Sequence, residues 1–152
     1  MNKLKVDAIR SGTVIDHIPG GAGLKVLQII GTNGKDVISL GINLASKTQQ
    51  KKDLVKIEGK ELLPEQVNQI ALIAPHATIN IIRDYKVIEK FSVDIPDAME
   101  GLLVCPNPKC VTNSEKIRTR FKVVDKNPVK LQCCYCERIY AADDVNPRNR
   151  GI

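Results

Sequence analysis

The feature that most constrains this chain is a set of four cysteines near its C-terminus, arranged as two closely spaced pairs. Cys105 and Cys110 form the first pair, Cys133 and Cys136 form the second, and 22 residues separate the inner two. Two short turns that face each other across a hairpin can supply the four soft ligands of a tetrahedral zinc site. The spacing therefore predicts a zinc ion bound by these four thiolates, with Cys134 left over.

Two other chemistries use cysteines at similar spacing: a pair of disulfides, and a redox Cys-x-x-Cys motif. A redox motif opens a helix inside a βαβ unit, and no such pattern surrounds Cys133. An odd number of cysteines, grouped at metal spacing, favours a reducing cytoplasm over secretion. Four thiolates leave no open coordination position, so we expect the zinc to be structural rather than catalytic.

Length and composition bound the class of protein. The chain has 152 residues, enough for one ordinary domain or two small ones, and 43% of them are hydrophobic, as in globular proteins. The N-terminus lacks the apolar segment of a signal peptide, and no apolar run approaches the ~20 residues that span a bilayer. We therefore expect a cytoplasmic protein with no membrane partner.

The net charge of +6 raises the question of a nucleic-acid partner. It divides into +3 for residues 1–96 and +3 for residues 97–152, and both parts mix the two signs. A solvated mixed surface explains most of these charges, and we expect no nucleic-acid partner. A zinc-ribbon nucleic-acid binder remains an alternative function, although few aromatic side chains are available for stacking on bases.

Hydrophobic periodicity predicts a β-α-β-β-α-β order for the first part of the chain. The predicted strands are 4–8, 13–18, 38–44 and 54–58, the helices 24–30 and 64–74, with a polar loop at 45–53 and a bent extended region at 78–91. This order predicts an α+β fold in which two helices cover one face of a ferredoxin-like antiparallel sheet.

A second, smaller domain is predicted after a linker at residues 92–101, which contain Pro96 and Gly101. The boundary divides the chain into domains 1–96 and 97–152. The second domain is predicted to be all-β and zinc-ribbon-like, with strands at 117–124 and 129–132. About 55 residues is near the size at which a hydrophobic core becomes marginal, so the metal would supply folding free energy.

Two glycine-rich segments, residues 20–23 and 31–36, invite comparison with phosphate-binding loops. Asp36 occupies the place where a P-loop has a magnesium-binding Ser or Thr, and no strand–loop–helix unit frames the segment. Turns are therefore the favoured interpretation of both. The two histidines, His17 and His76, belong to no nucleophile–base arrangement that can be named. We expect that the chain is not an enzyme.

The open face of the predicted sheet is a candidate binding surface. Side chains two apart on a strand share a face, which places Leu54 and Lys56 together and Asn80 with Ile82. Apolar area, ammonium groups and an amide on one surface suit the base, phosphates and polar edges of a nucleotide. From the pattern alone, an ordinary solvated sheet face with long lysines is the favoured interpretation, because such mixed faces are the rule for antiparallel sheets.

Five short motifs, in order along the chain, connect it to a known family. They are Gly-Thr-Val-Ile-Asp-His-Ile-Pro (12–19), Lys-Asp-Leu-Val-Lys-Ile-Glu (52–58), Ala-Pro-x-Ala-Thr-Ile-Asn (74–80), Val-Cys-Pro-Asn-x-x-Cys (104–110) and Cys-x-Tyr-Cys-Glu (133–137). Over nearly its whole length, the chain resembles the regulatory chains of aspartate carbamoyltransferase. The resemblance implies a non-catalytic subunit that binds the nucleotide effectors CTP and ATP. It also implies a regulatory-chain homodimer, and a zinc domain that docks on a separate catalytic chain in pyrimidine synthesis.

The resemblance further implies a nucleotide site on the open face of the sheet. Its implied residues are Val6, Ile9, Asp16, His17, Leu54, Lys56, Asn80, Ile82, Tyr85, Val87 and Lys90. Lys56 and Lys90 would meet the triphosphate and ribose, while segments 6–9 and 85–87 would hold the base. The implied zinc ligands are the four cysteines already selected by spacing. The 20–23 turn, the 47–52 loop and Cys134 depart from the family pattern, so no contact is carried over to them.

Overall fold

The computed structural model describes residues 8–45 and 51–148. The N-terminal part contains five strands and two helices: β1 (Gly12–Pro19), α1 (Gly23–Ile30), β2 (Ile38–Ala45), β3 (Lys51–Glu58), α2 (Pro64–Ile73), β4 (Thr78–Arg83) and β5 (Lys86–Ser92). Both predicted helices are confirmed. Helix α1 ends at Gly31, whose φ of 71° is the left-handed conformation that glycine adopts readily. Helix α2 begins at Pro64, the position where a missing N–H costs nothing.

The five strands form one sheet in the order β2-β3-β1-β4-β5, and each pair of neighbours is antiparallel. The first four strands follow the ferredoxin-like arrangement, in which β3 lies between β1 and β2 and the two helices cover one face. Strand β5 is added at the edge. The predicted α+β fold class is therefore confirmed.

Two details of the N-terminal prediction are wrong. The predicted polar loop at 45–53 overlaps two strands, because β2 continues to Ala45 and β3 begins at Lys51. The bent extended region at 78–91 is a hairpin of two strands, reversed by a two-residue turn at Asp84 and Tyr85. Most of the predicted strand at 4–8 lies outside the described residues.

The first hydrophobic core lies between the sheet and its two helices. Strand β3 shows the alternation that builds it: Asp53, Val55 and Ile57 are buried, whereas Leu54 and Lys56 are half-buried on the opposite, helix-free face. The other members include Ile15, Ile79, Val26, Ile30, Ile70 and Ala74. The sheet thus has one covered face and one face open to ligands.

The C-terminal part consists of short strands with one helical turn and one 3₁₀ turn. The strands are β6 (Ala98–Glu100), β7 (Leu103–Val104), β8 (Arg120–Lys126), β9 (Val129–Cys133), β10 (Ile139–Ala141) and β11 (Asn146–Pro147). The one-turn helix α3 (Val111–Ser114) lies between β7 and β8, and the 3₁₀ turn (Ala142–Asp144) lies between β10 and β11. Four strands form a sheet in the order β10-β9-β8-β6, and β7 pairs with β11. The predicted linker at 92–101 is wrong in part, because Ala98–Glu100 is a strand paired with β8.

A second core of apolar side chains stabilises this part and reaches into the first. Phe121 and Leu131 are almost fully buried at its centre, and Leu72 of α2 belongs to it. Ile95 contacts both cores. The buried amide of Gln69, also on α2, donates a hydrogen bond to the carbonyl of Leu102 at 2.6 Å. Helix α2 therefore packs against the sheet on one side and against the cysteine-containing part on the other.

Within residues 8–45 and 51–148, none of the helices has the length and apolar run that crossing a membrane requires.

Candidate functional site

Two turns and the ends of two strands bring four cysteines together. Cys105 follows β7, Cys110 precedes α3, Cys133 ends β9, and Cys136 lies in the turn before β10. The four sulfur atoms all lie within 4.8 Å of one another. The Sγ atoms of Cys105 and Cys136 are 3.7 Å apart, and those of Cys110 and Cys133 are 3.8 Å apart. Sequence spacing alone selected this same group of four.

These distances fit a tetrahedral metal ion. Four sulfurs at the ~2.3 Å Zn–S distance define a tetrahedron whose edges are about 3.8 Å. The five cysteines are unbonded, and the separations of 3.7 and 3.8 Å are far longer than the ~2.05 Å of a disulfide bond, so the arrangement does not match paired disulfides. Cys133 ends a strand rather than opening a helix, so the redox alternative also lacks its structural context. Cys134 is half-buried and not part of the group of four.

Hydrogen bonds hold the two cysteine turns in shape. The side-chain amide of Asn113 donates to the carbonyls of Cys105 and Asn107, at 2.9 and 2.7 Å. In the second turn, the Glu137 amide donates to the carbonyl of Cys133 at 2.9 Å, with Glu137 at a φ of 63°. Asn113 was not among the residues selected from the sequence, because nothing in its spacing to the cysteines distinguishes it from other polar residues.

The cysteine thiols differ in their tendency to ionise. Burial opposes ionisation of Cys136, yet the Arg138 amide and the Asn107 side chain outweigh it and lower its pKa to about 6. The pKa of Cys110 is also lowered, because hydrogen bonds from Thr112 outweigh its burial. Burial is the main cause that raises the pKa of Cys105 to about 12. A divalent cation would displace the remaining protons on binding.

Tyr140 lies beside this group. Burial first, and then the negative charge of Cys105, raise the pKa of its phenol to about 12. Its hydroxyl oxygen is buried and makes no hydrogen bond within the described residues. The phenol therefore remains a protonated donor at neutral pH.

The second candidate site is a row of side chains across the helix-free face of the sheet. Lys56 on β3 pairs with Val14 on β1, Val14 pairs with Asn80 on β4, and Asn80 pairs with Lys90 on β5. Directly paired residues in antiparallel strands point to the same face. We call these four residues the cross-strand row. The Asn80 side-chain amide donates to the Val14 carbonyl at 3.3 Å, which holds the amide over the centre of the row.

Apolar side chains lie next to the row, toward the β4–β5 turn. Ile82 on β4 pairs with Val87 on β5. Ile82 is buried, whereas Val87 is 55% exposed and Tyr85, in the turn, is 68% exposed. Leu54, two residues before Lys56, is half-buried on the helix-free face at the opposite end of the row, toward Asp16. Ile9 is buried, and Val6 lies outside the described residues.

The other end of the face carries a bulge in β1 at Asp16 and His17. Lys52 forms an ion pair with Asp16 at 2.9 Å, and the His17 amide donates to the same carboxylate at 2.7 Å. Burial acts to raise the pKa of Asp16, but Lys52 and the His17 amide outweigh it and lower the pKa. The His17 ring lies 3.1 Å from the Thr78 hydroxyl. Lys52 was not selected from the sequence, because it lies in the 47–52 segment, to which no contact was carried over from the family.

Comparisons with known proteins bear directly on these two sites. A family model described as the allosteric domain of the aspartate carbamoyltransferase regulatory chain matches residues 4–94. A second, described as the metal-binding domain of that regulatory chain, matches residues 97–146. The chain belongs to the aspartate carbamoyltransferase regulatory-chain family.

Curated relatives in this family are similar to the chain over almost its full length. The regulatory chain of Pyrococcus horikoshii is 54% identical over 95% of this chain and 97% of its own. The regulatory chain of Hyperthermus butylicus is 50% identical over 93% of this chain and 91% of its own. The family is named for a regulatory, allosteric role, which confirms the prediction of a regulatory rather than an enzymatic chain.

The glycine-rich turn of this regulatory chain binds an internal carboxylate instead of a phosphate. Asp53 is fully buried, and one of its oxygens accepts hydrogen bonds from the amides of Gly21 and Gly23 at 2.9 and 2.7 Å. The other oxygen accepts from the Asn43 amide at 2.8 Å. In the second glycine-rich segment, the Asn33 side chain accepts from the amides of Lys35 and Asp36. Both segments are turns closed by side chains of the chain itself.

Proposed function

We propose that the chain is the effector-binding subunit of an aspartate carbamoyltransferase complex, and that CTP and ATP bind on the helix-free face of its sheet. The observation that carries this proposal is the cross-strand row, which places Lys56 and Lys90 in one register line on either side of Val14 and Asn80. We assign effector binding to residues 1–96, and zinc binding and docking to residues 97–152.

The spacing of the row suits a nucleoside triphosphate. Neighbouring strands are ~4.8 Å apart, so three strand spacings separate the backbones of Lys56 and Lys90 by about 14 Å. Both side chains are long enough to reach inward toward a ligand that lies over β1 and β4. One ammonium group then contacts the triphosphate and the other contacts the ribose, while the Asn80 amide faces the middle of the ligand.

The apolar residues beside the row supply a surface for the base. The Tyr85 ring and the Val87 side chain are both largely exposed, and burying them against a base removes apolar area from water. At the other end of the face, Asp16 and His17 complete the proposed site. Ile9 and Val6 belong to the proposed base-binding end.

A zinc ion in the four-cysteine group is proposed to hold the surface that docks on the catalytic chain. The two cysteine turns expose Lys109, Glu137 and Arg138 next to the half-buried Asn107. The ion would lock both turns, and so fix these side chains in a rigid arrangement. An effector that binds one quaternary state more tightly shifts the equilibrium between states, with a coupling of typically ~1–3 kcal/mol.

The proposal includes a homodimer through the effector domain and a cytoplasmic location. Strands β2 and β5 are the two outer strands of the five-stranded sheet. Because β5 carries Lys90 and Val87, β2 is the edge that a second copy can occupy without covering the proposed site. The mass of the purified chain in solution tests this part.

Calorimetric titration of the zinc-loaded chain with CTP and with ATP tests the effector site. We expect saturable binding of both nucleotides at one shared site, weakened about tenfold or more by Lys56→Ala or by Lys90→Ala, because each removes a charge-assisted contact. Lys122→Ala is the matched control, since Lys122 is an exposed lysine on β8. Absence of nucleotide binding, with salt-sensitive binding of RNA or DNA in its place, would refute the proposal and favour a nucleic-acid module.

A further inference from the structure

The loop between α1 and β2, residues 31–37, contains an Asn-Gly pair that neither proposed site uses. Asn33 and Gly34 are both exposed to solvent. Gly34 has a φ of 78°, and no heavy atom beyond its chain neighbours lies within 4 Å of the position that a β-carbon would take. Neither a side chain of its own nor packing against other elements therefore hinders the peptide nitrogen of Gly34.

The side-chain carbonyl of Asn33 is polarised by two backbone donors. Its oxygen accepts hydrogen bonds from the amides of Lys35 and Asp36, at 2.8 and 3.2 Å. The first of these bonds closes an Asx turn, a ring of atoms that includes both the Asn33 side-chain carbonyl carbon and the Gly34 nitrogen. Two N–H groups on one carbonyl oxygen also form the arrangement that stabilises an oxyanion when a nucleophile adds to the carbon. The turn therefore favours attack of the Gly34 nitrogen on the Asn33 side chain.

The NH₂ group of the Asn33 side chain is free to leave. Within residues 8–45 and 51–148 it donates no hydrogen bond. Asn113 is the opposite case, because its NH₂ group donates to the carbonyls of Cys105 and Asn107 at 2.9 and 2.7 Å. The fold thus activates the amide of Asn33 and protects that of Asn113.

We propose that Asn33 is a modification site, at which the folded Asx turn promotes deamidation through a cyclic imide with Gly34. The inference is independent of the proposed effector and metal sites, since it uses only the loop between α1 and β2. Water is the only co-reactant that it requires.

The reaction has two steps. In the first, the Gly34 nitrogen gives its proton to solvent water or hydroxide and bonds to the side-chain carbonyl carbon of Asn33. The bond from that carbon to the NH₂ group breaks, and the nitrogen takes up a proton and leaves as ammonia. In the second step, water opens the five-membered imide. Opening at the side-chain carbonyl gives aspartate, whereas opening at the main-chain carbonyl gives isoaspartate.

Both products change the loop. The net charge of the chain falls by one from +6, because a neutral amide becomes a carboxylate. In the aspartate product, the carboxylate still accepts from the amides of Lys35 and Asp36, and these bonds become charge-assisted. Isoaspartate adds a carbon to the backbone between residues 33 and 34, which disrupts the Asx turn.

The test measures the rate of deamidation in the wild-type, zinc-loaded full-length chain, folded in buffer and unfolded in guanidinium chloride at the same mildly alkaline pH. Trypsin cleaves after Lys25 and Lys35, and the resulting peptide contains Asn33 as its sole asparagine. Mass spectrometry of this peptide measures conversion of the amide to the acid. We expect the folded chain to lose the Asn33 amide at least as fast as the unfolded chain, and to keep that of Asn113. Slower loss from the folded chain, or no loss, overturns the inference, because the turn would then protect Asn33.

Two further measurements test the cyclic route. Isoaspartate arises through the imide and not through direct hydrolysis of the side chain, and enzymatic methylation of isoaspartyl carboxylates detects it. Loss of the amide without any isoaspartate at position 33 would contradict the route. Asn33→Gln is the matched control: it retains a side-chain amide but requires a six-membered ring, so it should show no loss over the same period.

Discussion

Asp53 accepts hydrogen bonds from three backbone amides that belong to different elements of the N-terminal part of the chain. Two of them, from Gly21 and Gly23, lie at the start of α1, where the positive end of the helix dipole favours a carboxylate. The third, from Asn43, lies on β2 at a φ of 57°. Three backbone N–H donors offset the cost of burying this side chain completely. It ties α1, β2 and β3 together.

Asp53→Asn should destabilise the chain by about 2–4 kcal/mol, because the amide NH₂ replaces one acceptor oxygen and faces a backbone N–H. Urea denaturation followed by circular dichroism measures the change. Asp97→Asn is the matched control: the Asp97 side chain is 96% exposed in its ion pair with Lys126, and its loss should cost well under ~1 kcal/mol. Equal effects of the two substitutions would contradict this account of Asp53.

Asp16 should make stability depend on pH in the acid range. Its pKa in the folded chain is lowered from 3.8, because Lys52 and the His17 amide outweigh the effect of burial. The unfolded chain therefore binds the proton more tightly, and the contribution of Asp16 is complete above about pH 4 and falls as pH drops through the lower, folded value. Thermal unfolding between pH 2 and pH 6 at constant ionic strength should show a shallower acid decline in Asp16→Asn. An identical decline in both proteins would exclude this contribution.

The β4–β5 hairpin shows a conflict between local preference and position in the proposed site. Its two-residue turn has φ of 50° at Asp84 and 65° at Tyr85, the type I′ conformation that favours glycine at the second position. A tyrosine in the left-handed region costs ~1 kcal/mol or more. The exposed Tyr85 ring gives no compensating burial within the described residues. Strain of this kind is common where a side chain is held for binding.

Tyr85→Gly should relieve this strain, so that the free energy of unfolding stays constant or rises by up to about 1 kcal/mol, while nucleotide affinity falls. Tyr85→Ala removes the same ring but retains a β-carbon at positive φ, and should be less stable than Tyr85→Gly. Thermal unfolding and calorimetric titration with CTP measure the two effects separately. Nucleotide affinity equal to wild type in both variants would remove Tyr85 from the proposed site.

In the whole molecule, α2 connects the two parts of the chain. Ile70 and Ala74 belong to the first core, Leu72 belongs to the second, and the Gln69 amide donates to Leu102. The cysteine-containing part also has a larger core than its scattered apolar sequence predicted, because it shares Leu72 and Ile95 with its neighbour. The proposed metal site and the proposed effector site are therefore on parts of one packed unit, but they use different residues.

Removal of the metal with a chelator should abolish association with a catalytic chain while leaving nucleotide binding in place. The two cysteine turns lose their common ligand, whereas the cross-strand row lies on the far side of the sheet from α2. We also expect a lower unfolding temperature for the effector domain, because α2 loses ordered contacts at Leu72 and Gln69. Size-exclusion chromatography with catalytic subunits and calorimetry with CTP measure the two outcomes. Assembly that survives complete chelation would contradict the proposed division between the two domains.

Local pattern in the sequence was sufficient for the cysteine group, both helices and most of the sheet. Each cysteine turn is short, so the spacing of Cys105 to Cys110 and of Cys133 to Cys136 already limits their separation. Likewise, the alternation along residues 38–44 and 54–58 and the Pro64 and Gly31 signals depend on near neighbours. Family resemblance, rather than pattern, favoured a nucleotide site over a solvated sheet face.

Pairing between distant parts of the chain decided the features of the fold and of the candidate sites that local pattern did not predict. The start of β3 at Lys51 depends on pairing with β2, and the role of Asp53 depends on the turn before α1 and on β2. Neither could be predicted from the polar sequence of residues 45–53 alone. The alignment of Lys56, Val14, Asn80 and Lys90 follows from the register of four strands, which no single strand specifies. The bridging role of α2 likewise arises from packing between residues far apart in the chain. The sequence by itself thus determined which four cysteines form one group and which segments become helices and most strands, because these depend on near neighbours. Only the tertiary structure decided which distant residues meet, because strand register and packing join parts of the chain that no local pattern connects.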